Sequence, residues 1–386
     1  MSFVLSHKNV FDYLVERKIL TSEMEAQSQI ERKYAKNFNL LVSLPDNRKI
    51  LVKQEPRNRE GKTAGEFQRE WRIQEFMETF PELSQMKLWL SEKIDFDAEN
   101  SIIVFNYLDN YRDLIDFYGK ENIFPLLIAE NIGTILAKIH RLTFENQVYQ
   151  DFLTNKQNQS VNTSHLVRKL ERIGPEIFGL VPGDGLKFFA LYQRYDSLGK
   201  AIAELGDSIT PCCLTHNDLK LNNILLSNDW QEVESALVSG EKSENIIRLI
   251  DWERCGCGDP AFDLGSLIGS YLHIWLSSLI TSKAMTIDES LRMATTPLEI
   301  IQPSLGAIAT SYLDNFPEIT HRRPDFWKRV VQFAGWNLIG SIQSTLQYQK
   351  SFDNTGICML QVAKSLLCRA EQSMTTIINR LPVTSS

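Results

Sequence analysis

Residues 214–226 read LTHNDLKLNNILL. His216, Asp218, Lys220 and the adjacent Asn222 and Asn223 stand between apolar flanks, in a segment otherwise fit for burial. Burying polar groups costs free energy unless each one is bonded, so such a cluster needs a reason. The end of the stretch, NILLS, reads as a strand, and IIRLIDW at 246–252 reads as a second one. Paired as a hairpin with a long polar tip (Asn228–Asn245), they bring the loop before the first strand close to the end of the second. Asn223 and Asp251, 28 residues apart, then offer two side-chain oxygens to a hard cation, with the Asp218 carboxylate nearby. Magnesium prefers few carboxylates together with phosphate oxygens. A carboxylate beside magnesium and phosphate can orient a hydroxyl and accept its proton as the oxygen attacks phosphorus.

The rest of the chain fits that chemistry. Its 386 residues suggest two domains or lobes with a sizeable core. The net charge of −7 argues against a nucleic-acid binder, which would carry a basic domain. Six cysteines follow no disulfide framework, and the N-terminal MSFVLSHKNVFDYL lacks a secretory pattern. A cytoplasmic protein with reduced thiols is expected. Cys255 and Cys257 form a C-G-C pair, but no second pair or nearby His completes a metal site, so incidental thiols in a loop are the reading. Leu264–Ser282 carries no charged residue and approaches the roughly 20 residues of a membrane span. Its five Ser, two Gly, Thr and His273 make a buried core helix the expectation, so no membrane partner is inferred.

Periodicity predicts a helix over 8–30, a hairpin over Phe38–Gln54 turning at Pro45-Asp46-Asn47, and a helix over Gly65–Thr79 with Phe67, Trp71, Ile73 and Phe76 inward. A short buried strand follows at Ile102–Tyr107, then an amphipathic helix at Ile123–Leu142. The middle, Glu145–Gly206, is polar and irregular with helical pieces. Asp325 reads as the N-cap of a late helix in which Trp336 is a core residue.

HNDLKLNN (His216–Asn223), IDWE (Ile250–Glu253) and DPAFDLG (Asp259–Gly265), in that order, resemble the aminoglycoside phosphotransferase and choline kinase superfamily. The resemblance covers about residues 33–350 and is strongest over 214–270. It implies an α+β, bilobal, protein-kinase-like fold. Residues 1–108 would form an N-terminal helix and a nucleotide-binding lobe, and 109–386 a mainly helical lobe with the catalytic and metal-binding loops. It implies a kinase using ATP or another nucleoside triphosphate with Mg2+ on a small-molecule acceptor. Asp218 matches the catalytic base, and Asn223 and Asp251 match the magnesium ligands. His216 and Asp263 match residues that support the loop. Lys220 matches a lysine that contacts the transferred phosphate in protein kinases. Lys53 matches the lysine on the α- and β-phosphates, and Glu70 its ion-pair partner, with Glu66 the alternative one turn earlier. Phe105 and Tyr107, in FNYL, match the lobe connection that binds adenine. The phosphate loop departs from the pattern: YAKNFNLL (Tyr34–Leu41) has no glycine, which leaves Asn37 and backbone N–H groups as the cradle.

Trp252, Glu253 and Asp259 are candidates to face the acceptor, and the two acidic ones favour a cationic or amino compound. Two rival readings stand beside the small-molecule kinase. A protein Ser/Thr kinase is disfavoured because DPAFDLG follows Asp251 too soon for an activation segment. A scaffold without turnover is disfavoured because base, metal ligands and lysine are all present.

Overall fold

A computed structural model describes residues 3–34, 36–154, 163–171, 183–238, 246–281 and 285–378. Several expectations lie partly outside the described residues: Ala35 in the phosphate loop, 155–162 and 172–182 in the polar middle, 239–245 in the hairpin tip, and Ser282.

Five antiparallel strands form the first sheet in the order β1-β2-β3-β5-β4. They are β1 (Gln29–Tyr34), β2 (Phe38–Ser43), β3 (Lys49–Gln54), β4 (Lys93–Asp97) and β5 (Ile102–Asn106). The β2–β3 hairpin forms as its alternation predicts, and Asn47 takes the left-handed conformation its turn needs (φ 65°). Alternate residues of a strand face opposite sides. Ile50 and Val52 pack with Leu40, Val42, Ile102 and Val104 against Val10, Phe11 and Leu14 of the N-terminal helix. Leu51 lies on the other face with Ile103, Phe105 and Phe67 of the Glu66–Thr79 helix. The same alternation puts Lys53 on the Leu51 face.

The expected helix over 8–30 is shorter in the structure. It spans Val10–Glu16, is followed by Lys18 in the left-handed region (φ 59°), and gives way to a 3-10 turn at Ser22–Gln27 and then to β1. The apolar stripe fades after Leu20. β1 is a sheet edge, so its sequence QIERKY can stay polar and carries little strand signal.

The second predicted hairpin also forms. β6 (Tyr111–Asp113), β8 (Ile224–Ser227) and β9 (Ile247–Leu249) make a three-stranded sheet, with Ile224 opposite Leu249. β9 stops short of the expected Trp252, and Asp251 follows it in a left-handed conformation (φ 59°). The first half of the presumed polar tip is a helix, Trp230–Val238. β7 (Cys213–Thr215) pairs with β10 (Gly256–Gly258).

The chain divides into two compact units: Met1–Arg112 with Ile224–Cys255, and Asp113–Asn223 with Gly256–Ser386. The hairpin that leads to Asp251 thus groups with the N-terminal sheet. The second unit is mainly helical. Its long helices include Leu126–Thr143, Pro260–Ser277, Leu298–Asn315 and Phe326–Gln349. The fold is therefore α+β, with a small sheet-based unit and a larger helical one, as expected.

The apolar stretch near 264–282 is a core helix, with Leu264, Leu267, Ile268, Tyr271 and Leu272 buried. No helix among the described residues is long and apolar enough to cross a membrane. The late helix begins after Asp325 as expected. Its carboxylate, however, pairs with Arg329 at 3.0 Å instead of capping the helix.

The Pro260–Ser277 helix lies tight against Phe326–Gln349 at Gly265. A methyl group there would meet the Phe333 Cβ at 2.5 Å and the Val330 carbonyl oxygen at 2.6 Å. Overpacking of this kind costs about 1–3 kcal/mol. Gly265→Ala should lower stability by that amount in urea denaturation, with an unchanged slope against urea.

Candidate active site

The loop from Thr215 to Asn223 is held by one carboxylate. Asp263, 1% exposed on the Pro260–Ser277 helix, accepts the backbone N–H of His216 at 2.6 Å and that of Asn217 at 2.8 Å. Charge-assisted bonds of this kind are short and strong. His140, fully buried, lies 3.4 Å from the same carboxylate through Nε2 and 2.9 Å from the Tyr312 hydroxyl through Nδ1. The clamp secures Asn217 in a left-handed conformation (φ 60°), which Asn adopts more readily than most residues. The Thr215 hydroxyl sits 3.0 Å from Asn217 Oδ1 and 3.1 Å from the Gly256 carbonyl oxygen. A Cβ at Gly258 would fall 2.1 Å from that hydroxyl. Gly258 thus lets β10 close on the loop.

Within this loop the Asp218 N–H donates to His216 Nδ1 at 3.3 Å. His216 is fully buried, so it braces the turn. The Lys220 ammonium pairs with Asp218 Oδ2 at 3.0 Å. Asn223 donates from its amide nitrogen to the Asp218 carbonyl oxygen at 2.9 Å. A carbonyl only accepts, so this bond fixes which end of the amide is nitrogen and leaves its oxygen for other partners.

The first unit gathers the other charged residues. The Lys53 ammonium lies 3.2 Å from Asp251 Oδ1 and 5.0 Å from the centroid of the Phe105 ring. Burial pulls its pKa down, but the Asp251 and Glu70 carboxylates outweigh burial and the net direction is upward. Glu70 is 1% exposed. Its helix is fixed to the sheet by buried Glu55, whose carboxylate accepts the N–H groups of Glu66 (2.8 Å) and Phe67 (3.3 Å). A carboxylate at a helix N-terminus also meets the favourable end of the helix dipole. Glu66 is engaged elsewhere, in an ion pair with Lys36. Of the two alternatives for the partner of Lys53, Glu70 is the one whose charge acts on it. The Lys93 ammonium sits 6.0 Å from the centroid of the same Phe105 ring, and burial lowers its pKa.

Arg69 joins this helix to the turn after Asp251. Its Nε donates to the Glu253 carbonyl oxygen at 2.9 Å. The Glu253 side chain lies 3.9 Å from the Lys36 ammonium. Burial, then the nearby Glu66 carboxylate, pushes its pKa up to about 7, against the pull of Lys36.

Other expected residues fall differently. Asp259 does not face an acceptor. It is fully buried, caps the Pro260–Ser277 helix through Ala261 N–H, accepts Thr210 N–H and pairs with Arg329. Trp252 is also core: 1% exposed, with its indole N–H donating to the Leu249 carbonyl at 3.1 Å. Phe105 is buried within β5, whereas Tyr107 follows the strand and is half-buried, its N–H donating to the Lys49 carbonyl. The Asn37 amide oxygen is buried without a hydrogen-bond partner among the described residues. The group that could hold a phosphate is its NH2. Asp263 was legible from its motif, but Glu55, His140, Tyr312 and Gly258 were not. Their partners lie far off in sequence, and only the run of glycines around Cys257 gave a signal.

Among the described residues, no cluster of three or more His, Cys, Asp or Glu side chains is arranged to hold a metal ion. Asn223 and Asp251 each offer one oxygen-bearing side chain, so magnesium on either would depend on phosphate oxygens and water for most of its ligands, as magnesium commonly does.

Residues 119–272 match the choline/ethanolamine kinase family. That stretch contains all three motifs, so the expected resemblance to choline kinases is borne out over those residues. A curated relative, 4-hydroxytryptamine kinase of Psilocybe cyanescens, is 23% identical over 197 residues, covering 48% of this chain and 47% of its own. The chain thus spans about half the length of the curated relative it matches. Among solved structures, choline kinase LicA from Streptococcus pneumoniae aligns with TM-score 0.48 and 16% identity over 93% of this chain and 99% of its own. The ADP-bound aminoglycoside phosphotransferase APH(2'')-Ib aligns with TM-score 0.45 and 14% identity over 94% and 99%.

Two outcomes follow. Asp263→Asn removes the charge and one acceptor from two buried N–H groups, and should cost about 1–3 kcal/mol in denaturant unfolding. The second concerns pH. Glu253 is raised from its usual 4.5 to about 7. For a raised group, the stabilisation is complete below the unfolded value and is lost as pH rises through the folded one. The stability gained by Glu253→Gln over wild type should grow from pH 4.5 to about 7 and stay level above that, as urea titrations across this range will show.

Proposed function

We propose that the chain is an ATP-dependent small-molecule kinase that phosphorylates a hydroxyl group. The observation that carries this reading is the Lys53–Asp251 ion pair at 3.2 Å. Two residues 198 positions apart, each assigned to nucleotide or metal by a separate motif, meet in one unit. A lysine on the phosphates next to a carboxylate on the metal is the arrangement phosphoryl transfer needs.

In this proposal Lys53, kept protonated by Asp251 and Glu70, neutralises the α- and β-phosphates. Asn223 and Asp251 hold magnesium, and the orientation of the Asn223 amide supports its share. Bound as a magnesium complex, ATP or another nucleoside triphosphate supplies the γ-phosphoryl group. Asp218 orients the acceptor hydroxyl and takes its proton. Lys220, now on Asp218, can shift to the transferred phosphoryl group. Phe105 packs beneath Lys53, Tyr107 follows on the adenine side, and the NH2 of Asn37 faces phosphate. Catalysis is positioning and charge stabilisation. The domain division at 108/109 and the cytoplasmic location remain parts of the proposal; the six unpaired cysteines support a reducing compartment.

The acceptor class is a small hydroxylated amine. Choline, ethanolamine and 4-hydroxytryptamine, for which the matched family and relative are named, each join a hydroxyl to a cationic nitrogen. Asp259 no longer contributes to that argument, because it is buried in an ion pair. An amine as phosphoryl acceptor and a protein substrate are the less favoured variants. Only eight residues, Trp252–Asp259, separate Asp251 from the next helix, too few for a peptide-docking segment.

Asp218→Asn should reduce kcat about 10²–10⁴-fold, the usual worth of a general base, with little change in magnesium-ATP affinity. Acceptor-dependent ADP release and calorimetric titration check the two parts. Equal, negligible turnover by wild type and variant, with intact nucleotide binding, would instead support a scaffold without turnover.

A further inference from the structure

The turn between β1 and β2 lacks glycine but carries Lys36. Tyr34 pairs with Phe38, so Lys36 and Asn37 lie at its tip. Lys36 is 63% exposed, yet its ammonium reaches two carboxylates from other elements. One is Glu66, at the start of the helix that carries Glu70. The other is Glu253, at 3.9 Å, two residues past Asp251. Both carboxylates are mostly covered, at 14% and 17% side-chain exposure. Asp251 and Glu70 add negative charge around Glu253.

This is an unequal arrangement. The carboxylates are fixed on a helix and a short turn, while the lysine is on a long, exposed stem. Two carboxylates share one ammonium, and an ion pair with so exposed a partner is weak. A polyphosphate brings several charges and more acceptor oxygens, so it can draw the lysine away at little cost. A side-chain cation on this tip would also supply what a glycine-free turn lacks in backbone approach to phosphate.

We infer that Lys36 is a nucleotide-phosphate ligand, held by Glu66 and Glu253 until the nucleotide takes it over. This rests on the kinase reading and adds a residue that none of the three motifs contains. Glu66 and Glu253 then act as competitors that set how tightly the turn grips phosphate, and neither touches the reacting atoms.

The test is calorimetric titration of the full chain with magnesium-ATP and, separately, with adenosine. Lys36→Met should weaken magnesium-ATP about tenfold or more, the equivalent of one charge-assisted hydrogen bond, and leave adenosine unchanged. Lys36→Arg should stay within about threefold of wild type, since a guanidinium also holds phosphate. Glu66→Gln should tighten magnesium-ATP a few-fold when Lys36 is present and have no such effect in Lys36→Met. Equal magnesium-ATP affinity in wild type and Lys36→Met would overturn the assignment and leave the kinase reading standing. Equal losses for adenosine and ATP would also overturn it, since they would mark a folding defect. A wild-type chain that binds neither ligand would remove the kinase reading and this inference with it.

Discussion

A single buried carboxylate, that of Asp263, takes two consecutive backbone N–H groups and so decides the shape of the loop that carries Asp218 and Asn223. Little else in the loop could do this. The Asn217 backbone is left-handed, and the His216 and Thr215 side chains are buried against it. A neutral acceptor would satisfy one amide and leave the other without a partner in a place water does not reach. His140 and Tyr312 then hold Asp263 itself, so the loop is fixed from the helical core outward.

The sheet-based unit repeats the device. Buried Glu55 takes two N–H groups at the start of the Glu66–Thr79 helix and ties that helix to the sheet. One turn later comes Glu70, on the face that meets Lys53. Arg69 carries the link to the turn after Asp251. Position in this unit thus passes from β3 through one helix to the residue assigned to magnesium. The charges oppose one another, with the Asp251 and Glu70 carboxylates both acting on the Lys53 ammonium. A partly buried ammonium is tolerated there because two carboxylates face it.

Much of the fold could be read from the chain because its signals are local. The Phe38–Gln54 hairpin, the Glu66–Thr79 helix and β5 show their periods within a few residues. β1 could not be read, because an edge strand need not be apolar. The site was legible where spacing expresses geometry: Asp218 and Asn223 on one loop, and Asp251 at the end of the strand paired with the next. It was illegible where a partner lies far away, as with His140 on Asp263 or Lys36 on Glu66. Proximity in sequence also misled. Trp252 and Asp259 flank motif residues, yet their side chains turn into the core, one to pack and one to pair with Arg329. Adjacency to a motif does not tell which way a side chain points.

Everything in the functional account converges on transfer of phosphate from a nucleotide to a hydroxyl. The most direct measurement is 31P NMR of wild-type protein with magnesium-ATP and a panel of hydroxylated amines, neutral sugars and a Ser/Thr peptide. The account predicts ADP and a new phosphomonoester in equal amounts with at least one hydroxylated amine, and no product from the peptide. Hydrolysis to inorganic phosphate alone, or a phosphopeptide as the only product, would contradict it.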